Sequence, residues 1–227
     1  MKAVAVIPGE KNSVHLRDIP IPNIEDDEVL VRSIRAGICA TDREINDGLY
    51  GTAPSGKNYL VLGHESSGVV EKIGKDVCNL SLGDYVVRSV RRPCFTCDNC
   101  SHGANDMCTS GNFVESGIKD LGGCMAEYFV DNPAYLIRIP PHLAETSVLL
   151  EPISVVEKAW RQAQAIQQRL YWKPQTALVI GAGPIGLLQA MLLKEEGLAV
   201  AVLARSSEGN LKSKLVTAIG AQYYSTV

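Results

Sequence analysis

Thr176-Ala177-Leu178-Val179-Ile180 runs directly into Gly181-Ala182-Gly183-Pro184-Ile185-Gly186, and this junction limits what the second half of the chain can become. An apolar strand that turns on glycine and opens a helix starts a β-α-β unit with parallel strands. The first glycine makes the turn, the second lets a pyrophosphate approach the backbone, and the third lets helix and strand pack. The helix N-terminus then faces the phosphates. The helix is expected over Leu187 to Glu196, capped by Gly197. Leu198 to Leu203 reads as a second buried strand, Leu211 to Ile219 as another helix and Gln222 to Val227 as a third strand, giving the order β-α-β-α-β. The second strand runs out in Ala204-Arg205-Ser206-Ser207. An acid here would hold a ribose 2′-hydroxyl. Arg205 instead offers a cation, and Ser206 and Ser207 offer hydroxyls, to a 2′-phosphate. That predicts NADP in preference to NAD, against the alternative of a solvated arginine at a strand end.

Residues 1 to about 150 have a different character. Short strands are predicted at 3–7, 14–16, 28–38, 67–73, 85–90 and 125–130, separated by turn chemistry such as Pro20-Ile21-Pro22-Asn23, Asp47-Gly48 and Leu82-Gly83-Asp84. Such spacing suggests a β-barrel or sandwich. Near residue 145 the composition shifts, and Val155 to Tyr171 reads as a long helix. The expected domains are therefore 1–150, β-rich, and 151–227, a linker helix with a partial α/β domain. The 227 residues allow one large domain or two small ones. A net charge of −3 with interspersed signs gives no reason to expect a nucleic-acid or anionic membrane partner. No apolar run reaches membrane-spanning length, and the N-terminus reads as a strand, not a signal peptide.

The seven cysteines are odd in number and clustered, which favours metal ligation in a reducing cytosol over a disulfide framework. Cys94-x-x-Cys97-x-x-Cys100, followed by Cys108, is the most specific of the patterns. Four thiolates from one loop can close a tetrahedral shell around zinc, with no open position, so this metal is assigned to structure. An Fe–S cluster also uses close cysteines, with different spacing and context. Cys78 and Cys124 lack a partner pattern and are expected to pack like small apolar residues. A second group is Cys39 with Leu62-Gly63-His64-Glu65. Sulfur, imidazole and carboxylate make a zinc donor set that can keep a position open. On one strand His64 and Glu65 would face opposite ways, so either one ligates and the other sits behind, or the chain turns there. The competing picture is a core histidine beside a surface glutamate.

Gly37-Ile38-Cys39-Ala40-Thr41-Asp42, Gly63-His64-Glu65-Ser66-Ser67-Gly68-Val69-Val70, Gly83-Asp84-x-Val86, the four-cysteine loop and the glycine turn at 181–186 follow one another along the chain. In these motifs and their order the chain resembles the zinc-dependent medium-chain alcohol dehydrogenases. Thr41-Asp42-Arg43-Glu44, Leu60 to Glu65, Val90-Arg91-Arg92-Pro93 and Glu151 to Ala159 are most similar to the archaeal glucose 1-dehydrogenases in that family. The chain departs from some members, which carry an acid where it has Val155 and an asparagine near Val90.

The resemblance implies a GroES-like catalytic domain followed by a Rossmann domain. It implies that Cys39 and His64 are the primary ligands of a catalytic zinc, with Glu65 a direct or intermittent ligand. Glu151 is implied as a further ligand, direct or through water, that also touches the sugar. Thr41 is implied to take the proton of the reacting hydroxyl, and Glu115 to bind substrate hydroxyls. The implied cofactor site comprises Gly181, Ala182, Gly183, Pro184, Ile185 and Gly186 with Ala204, Arg205 and Ser206. The implied reaction is oxidation of D-glucose at C1 to gluconolactone with hydride transfer to NADP or NAD. A polyol, threonine or aliphatic alcohol dehydrogenase is the alternative within the class, and an inactive zinc-binding module the alternative outside it. The family's chains continue past the third Rossmann strand and form homo-oligomers. This stretch alone is therefore expected to be weakly active or inactive.

Overall fold

The computed structural model describes all residues, 1–227, and the chain divides into two compact units, Met1–Glu151 and Pro152–Val227. No helix is long and apolar enough to cross a membrane.

The first unit is built from three sheets. β1 (Lys2–Val6), β2 (His15–Asp18), β3 (Val29–Ala36), α1 (Ala40–Asn46), β4 (Leu60–Val61), β5 (Ser66–Ile73), β6 (Tyr85–Arg88), β7 (Arg91–Arg92), α2 (Asp98–Ser101), β8 (Val114–Ser116), β9 (Asp120–Leu121), β10 (Tyr128–Asp131) and β11 (Leu136–Ile139) follow in order. The main sheet is five-stranded and antiparallel, in the order β10-β3-β5-β6-β11. A second sheet is β2-β1-β4, and a third, β7-β8-β9, is made of strands two or three residues long. Val29, Val31, Val70, Val86, Phe129 and Leu136 form the core on the main sheet, joined by Cys124, which is 1% exposed. A second cluster gathers Val6, Ile45, Leu60, Leu62 and Ile118. Cys124 packs as expected of it, whereas Cys78, expected to pack in the same way, is exposed.

Charge is buried in this unit as well. Asp131 on β10 receives Arg88 of β6 and Arg92 of β7 on the same oxygen, and all three side chains are under 10% exposed. Arg88 Nη1 also donates to Ser116 Oγ and to the Gly122 carbonyl, each at 2.8 Å. One guanidinium thus joins β6, β8, β10 and the segment entering β10.

The second unit holds most of α3 (Leu150–Gln167), then β12 (Thr176–Ile180), α4 (Pro184–Glu195), β13 (Ala199–Ala204), α5 (Leu211–Ala218) and β14 (Gln222–Ser225). Its sheet is parallel, in the order β12-β13-β14. Val179, Val200 and Val202 point into a core with Ala190, Leu193 and Val216. These strands are covered on one face only: Leu178 and Ile180 on the other face of β12 are 60% and 80% exposed. Leu198 to Leu203 reads as a buried strand, but β13 buries Val200 and Val202 while Ala199 is exposed, because successive side chains face opposite ways and one face alone is covered. Trp160 packs on the same core, its ring centroid 6.0 Å from that of Trp172.

Helix α3 starts five residues before the predicted Val155. Pro152 suggests a break, but it is the third residue of the helix, where no intrahelical donor is lost. Glu151 is consequently a first-turn residue.

Candidate functional site

Helix α1 delivers the first set of side chains. Cys39 is its N-cap: Sγ accepts from Thr41 N at 3.3 Å, while Asp42 Oδ2 accepts from Cys39 N at 2.9 Å. This reciprocal cap holds Cys39 and Asp42 on the same end of the helix. Burial pushes the Cys39 thiol up, opposed first by the Thr41 side chain and then by the backbone N–H groups of Asp42 and Thr41.

His64 arrives from a turn. Gly63 has φ +98°, a conformation that suits glycine, and the chain bends through His64 and Glu65 before β5 begins. The choice left open by the sequence is settled by that bend. The donor atoms of Cys39, His64 and Glu65 all lie within 4.8 Å of one another, with Cys39 Sγ 3.0 Å from His64 Nε2. The other ring nitrogen, Nδ1, is 3.6 Å from Asp42 Oδ1, both are buried, and neither atom has a hydrogen-bond partner. A carboxylate behind a histidine fixes the ring and its tautomer when Nε2 ligates a metal. The soft sulfur, the imidazole and the carboxylate oxygen, backed in this way, fit zinc.

Glu65 lies against Gly37, where any Cβ would overlap its carboxylate. Burial raises the Glu65 pKa, and burial first, then the charges of Glu65 and Asp42, raises that of Glu151. Glu151 therefore senses the same cluster without being one of the three converging donors. Thr41 is the second residue of α1, half-buried beside Cys39.

Glycine packing builds the turn. A Cβ at Gly123 would overlap the carbonyl oxygens of Leu62 and Gly63, and one at Gly117 would overlap Gly63. Both obstacles are backbone. Gly123→Ala is accordingly expected to lower unfolding stability by about 1–3 kcal/mol and to weaken metal retention at His64. Urea titration of the zinc-loaded variant measures the first, and an unchanged midpoint would show that the turn yields freely.

Glu115, on β8, is buried and bound: Arg91 Nε and Nη2 donate to its Oε1 at 2.9 and 2.7 Å. Its charge, after burial, helps to raise the pKa of Tyr50.

The donor atoms of Cys94, Cys97, Cys100 and Cys108 form a second group, again all within 4.8 Å of one another. Bonds from Ser110 and Thr96 pull the Cys94 thiol down to about 5, and the Cys100 and Thr109 backbone N–H groups bring Cys97 to about 7. Burial pushes Cys100 up to about 12. A closed, all-sulfur shell fits a structural zinc. Apolar packing contributes little to this lobe, since Phe95 and Met107 are 73% and 61% exposed.

In the second unit the glycine turn opens onto a cavity of about 520 Å³ lined by Gly181, Ala182, Gly183, Ala204, Arg205, Ser206, Lys212 and Thr226. Gly181 has φ +106°, and nothing lies within 4 Å of where a Cβ on Gly183 would be. Gly183 is also the N-cap of α4 with no side-chain cap, which leaves the first N–H groups free for phosphate. Gly186 serves packing: a Cβ there would overlap the Gly181 carbonyl. Pro184, Ile185 and Gly186 belong to the first turn of α4 and do not line the cavity. Sequence reasoning missed Asp42, Arg91 and Lys212. Asp42 had a local signal, the Cys39–Asp42 spacing of a helix cap, obscured because cysteine is an unusual cap residue.

The description "alcohol dehydrogenase GroES-like domain" matches residues 25–141, and "glucose dehydrogenase C-terminus" matches residues 144–227. The chain is 48% identical over 225 residues to a glucose 1-dehydrogenase of Methanocella arvoryzae, covering 99% of this chain and 63% of that one. A glucose 1-dehydrogenase of Thermoproteus tenax is 42% identical, over 100% of this chain and 64% of that one. Among solved structures, Haloferax mediterranei glucose dehydrogenase in complex with NADP, Zn and gluconolactone matches with TM-score 0.88 and 37% identity. It is covered to 64% of its length by the whole of this chain. The chain thus spans somewhat under two thirds of the relatives it matches.

Proposed function

Since the chain belongs to the alcohol dehydrogenases with a GroES-like domain, we propose that it forms the catalytic domain and the first part of the nucleotide-binding domain of a zinc-dependent glucose 1-dehydrogenase. The reaction removes a proton from the C1 hydroxyl of D-glucose and a hydride from C1, leaving gluconolactone. The observation that carries this is the convergence of Cys39, His64 and Glu65 with Asp42 behind the ring. The chain's 48% identity to a glucose 1-dehydrogenase points the same way.

Cys39, His64 and Glu65 would hold the zinc, and Glu151, whose carboxyl feels the charges of His64, Glu65 and Asp42, would join them directly or through water or meet the sugar. When bound, zinc supplies Lewis acidity toward the C1 oxygen and NADP supplies the hydride acceptor. Thr41 takes the hydroxyl proton and passes it on toward solvent. Asp42 keeps His64 in the ligating tautomer. Glu115 accepts hydrogen bonds from sugar hydroxyls through the oxygen that Arg91 leaves free. A site with such acceptors disfavours simple alcohols, because an unpaired buried polar group costs about 1–3 kcal/mol. Residues 1–150 carry the chemistry and 151–227 begin the nucleotide site, with Arg205 and Ser206 directed to the 2′-phosphate. The second zinc, on Cys94, Cys97, Cys100 and Cys108, is structural.

NADP reduction with D-glucose, compared with sorbitol, threonine and ethanol, tests the assignment. It is run on the zinc-loaded 227-residue chain and on a form extended to the length of its relatives. Glucose is expected to be the best substrate of the extended form, with little or no turnover by the shorter one. Preference for any of the other three would overturn the sugar assignment. Arg205→Ala is expected to weaken NADP binding roughly tenfold and leave NAD binding near its starting value. Equal loss for both nucleotides would remove Arg205 from 2′-phosphate recognition.

A further inference from the structure

Arg91 makes contacts in two places at once. Its Nε and Nη2 hold Glu115 Oε1, and its Nη1 donates to the Asp106 carbonyl at 3.0 Å. Asp106 lies between Cys100 and Cys108, in the 3-10 turn Asn105–Met107 of the four-cysteine lobe. Asn105 Nδ2 returns a bond to the Arg91 carbonyl at 3.3 Å, and the guanidinium stacks over Phe113 at 4.0 Å. In the β7–β8 pair Arg91 stands directly opposite Glu115. The Glu115 side chain is 10% exposed and that of Arg91 30%, so the pair is well shielded.

We propose that Arg91 is a positioning residue that couples the four-cysteine lobe to Glu115, so that the folded lobe fixes which carboxylate oxygen faces the substrate. The proposal rests on the sugar-binding role given to Glu115 above. Both N–H bonds from Arg91 to Glu115 end on Oε1, leaving Oε2 outside the clasp. A lysine could pair with Glu115 but could not also reach Asp106 in the forked geometry of a guanidinium. Phe95 and Met107 are largely exposed, so the 3-10 turn is held by polar contacts: Asn99 Nδ2 donates to the Met107 carbonyl within the lobe, while Arg91 and Asn105 tie it to β7. Coupling is reciprocal: what holds Glu115 also holds the lobe.

Metal release from the zinc-loaded chain tests this without turnover. Zinc is drawn off by a chelator with a coloured indicator, and the phase absent in Cys97→Ser is assigned to the lobe. Arg91→Ala and Glu115→Ala are each expected to speed that phase roughly five- to tenfold, with Arg91→Lys intermediate. The double variant should release no faster than either single one, because both remove the same clasp. Rates that multiply in the double variant, or a lobe phase untouched by Glu115→Ala, overturn the proposal. The phase absent in Cys39→Ser should not change, and acceleration of both phases would mark general loosening and overturn it too. A missing Cys39 phase in the wild-type chain would count against the proposed function alone, since the lobe phase would still report on Arg91. No metal in the lobe would overturn the coupling and leave the Cys39 site standing.

Discussion

Two zinc ions per chain should fall to one in Cys39→Ser, and to one, from the other site, in Cys97→Ser. The effect is large because each substitution removes a thiolate from a small donor set. Cys39 is one of only three converging donors, with Sγ 3.0 Å from His64 Nε2. Its loss leaves an imidazole and a carboxylate, too few to grip zinc against water. Cys97 is one of four, and structural zinc in small sites supplies about 10–16 kcal/mol of apparent binding free energy, so the lobe should lose its order as well as its metal. Asp42→Asn gives a graded version of the first result. The amide keeps one acceptor where the carboxylate has two, so its NH2 must face either His64 Nδ1 or the Cys39 N–H; it also brings no charge to the ring, and zinc affinity should fall roughly 10- to 100-fold. Metal analysis after dialysis against a weak chelator reads all three. Two zinc ions retained by Cys39→Ser would mean that the metal sits elsewhere.

Asp131→Ala should be the most damaging substitution in the first unit outside the metal sites. It strands two guanidinium groups, Arg88 and Arg92, whose side chains are 5% and 7% exposed, with no opposing charge. Breaking a buried pair from one side costs about 3–5 kcal/mol, far more than the intact pair contributes, because the remaining charge stays out of water. Arg88→Met should cost less in charge terms, since Arg92 still neutralises Asp131. It also orphans the Gly122 carbonyl and Ser116 Oγ, which flank the glycine packing beneath His64. Arg88→Met is therefore expected to weaken zinc retention at Cys39 more than its stability loss alone implies. Urea unfolding followed by far-ultraviolet circular dichroism decides between these outcomes. Asp131→Ala within about 1 kcal/mol of wild type would mean that water reaches the cluster.

Local patterns carried most of the fold. Strand β12 and the turn at Gly181–Gly186 were legible because strand, turn and helix follow one another within a dozen residues. The four cysteines were legible for the same reason. Helix α1 was not, since its seven residues follow an apolar run that reads as strand through Ile38 and its cap is a cysteine. Strands β4, β7 and β9 are two residues long and have no period to detect. Side-chain partnerships were the least legible. Arg91 meets Glu115 across 24 residues of chain, and Arg88 meets Asp131 across 43. Nothing in either local sequence announces the other member. Donor chemistry and motif order brought Cys39, His64 and Glu65 into one list, and the reason they can share an ion, the glycine-on-glycine turn at Gly63, is a matter of three dimensions.

Trp160 and Trp172 are the chain's two tryptophans, and both belong to the unit that starts at Pro152. Intrinsic indole emission is consequently blind to the half that carries both sets of metal donors. A fluorescence melt would follow the nucleotide half alone, while cobalt in place of zinc would colour only the thiolate-bearing half. One sample, watched at two wavelengths, would then tell whether the halves come apart together or in turn.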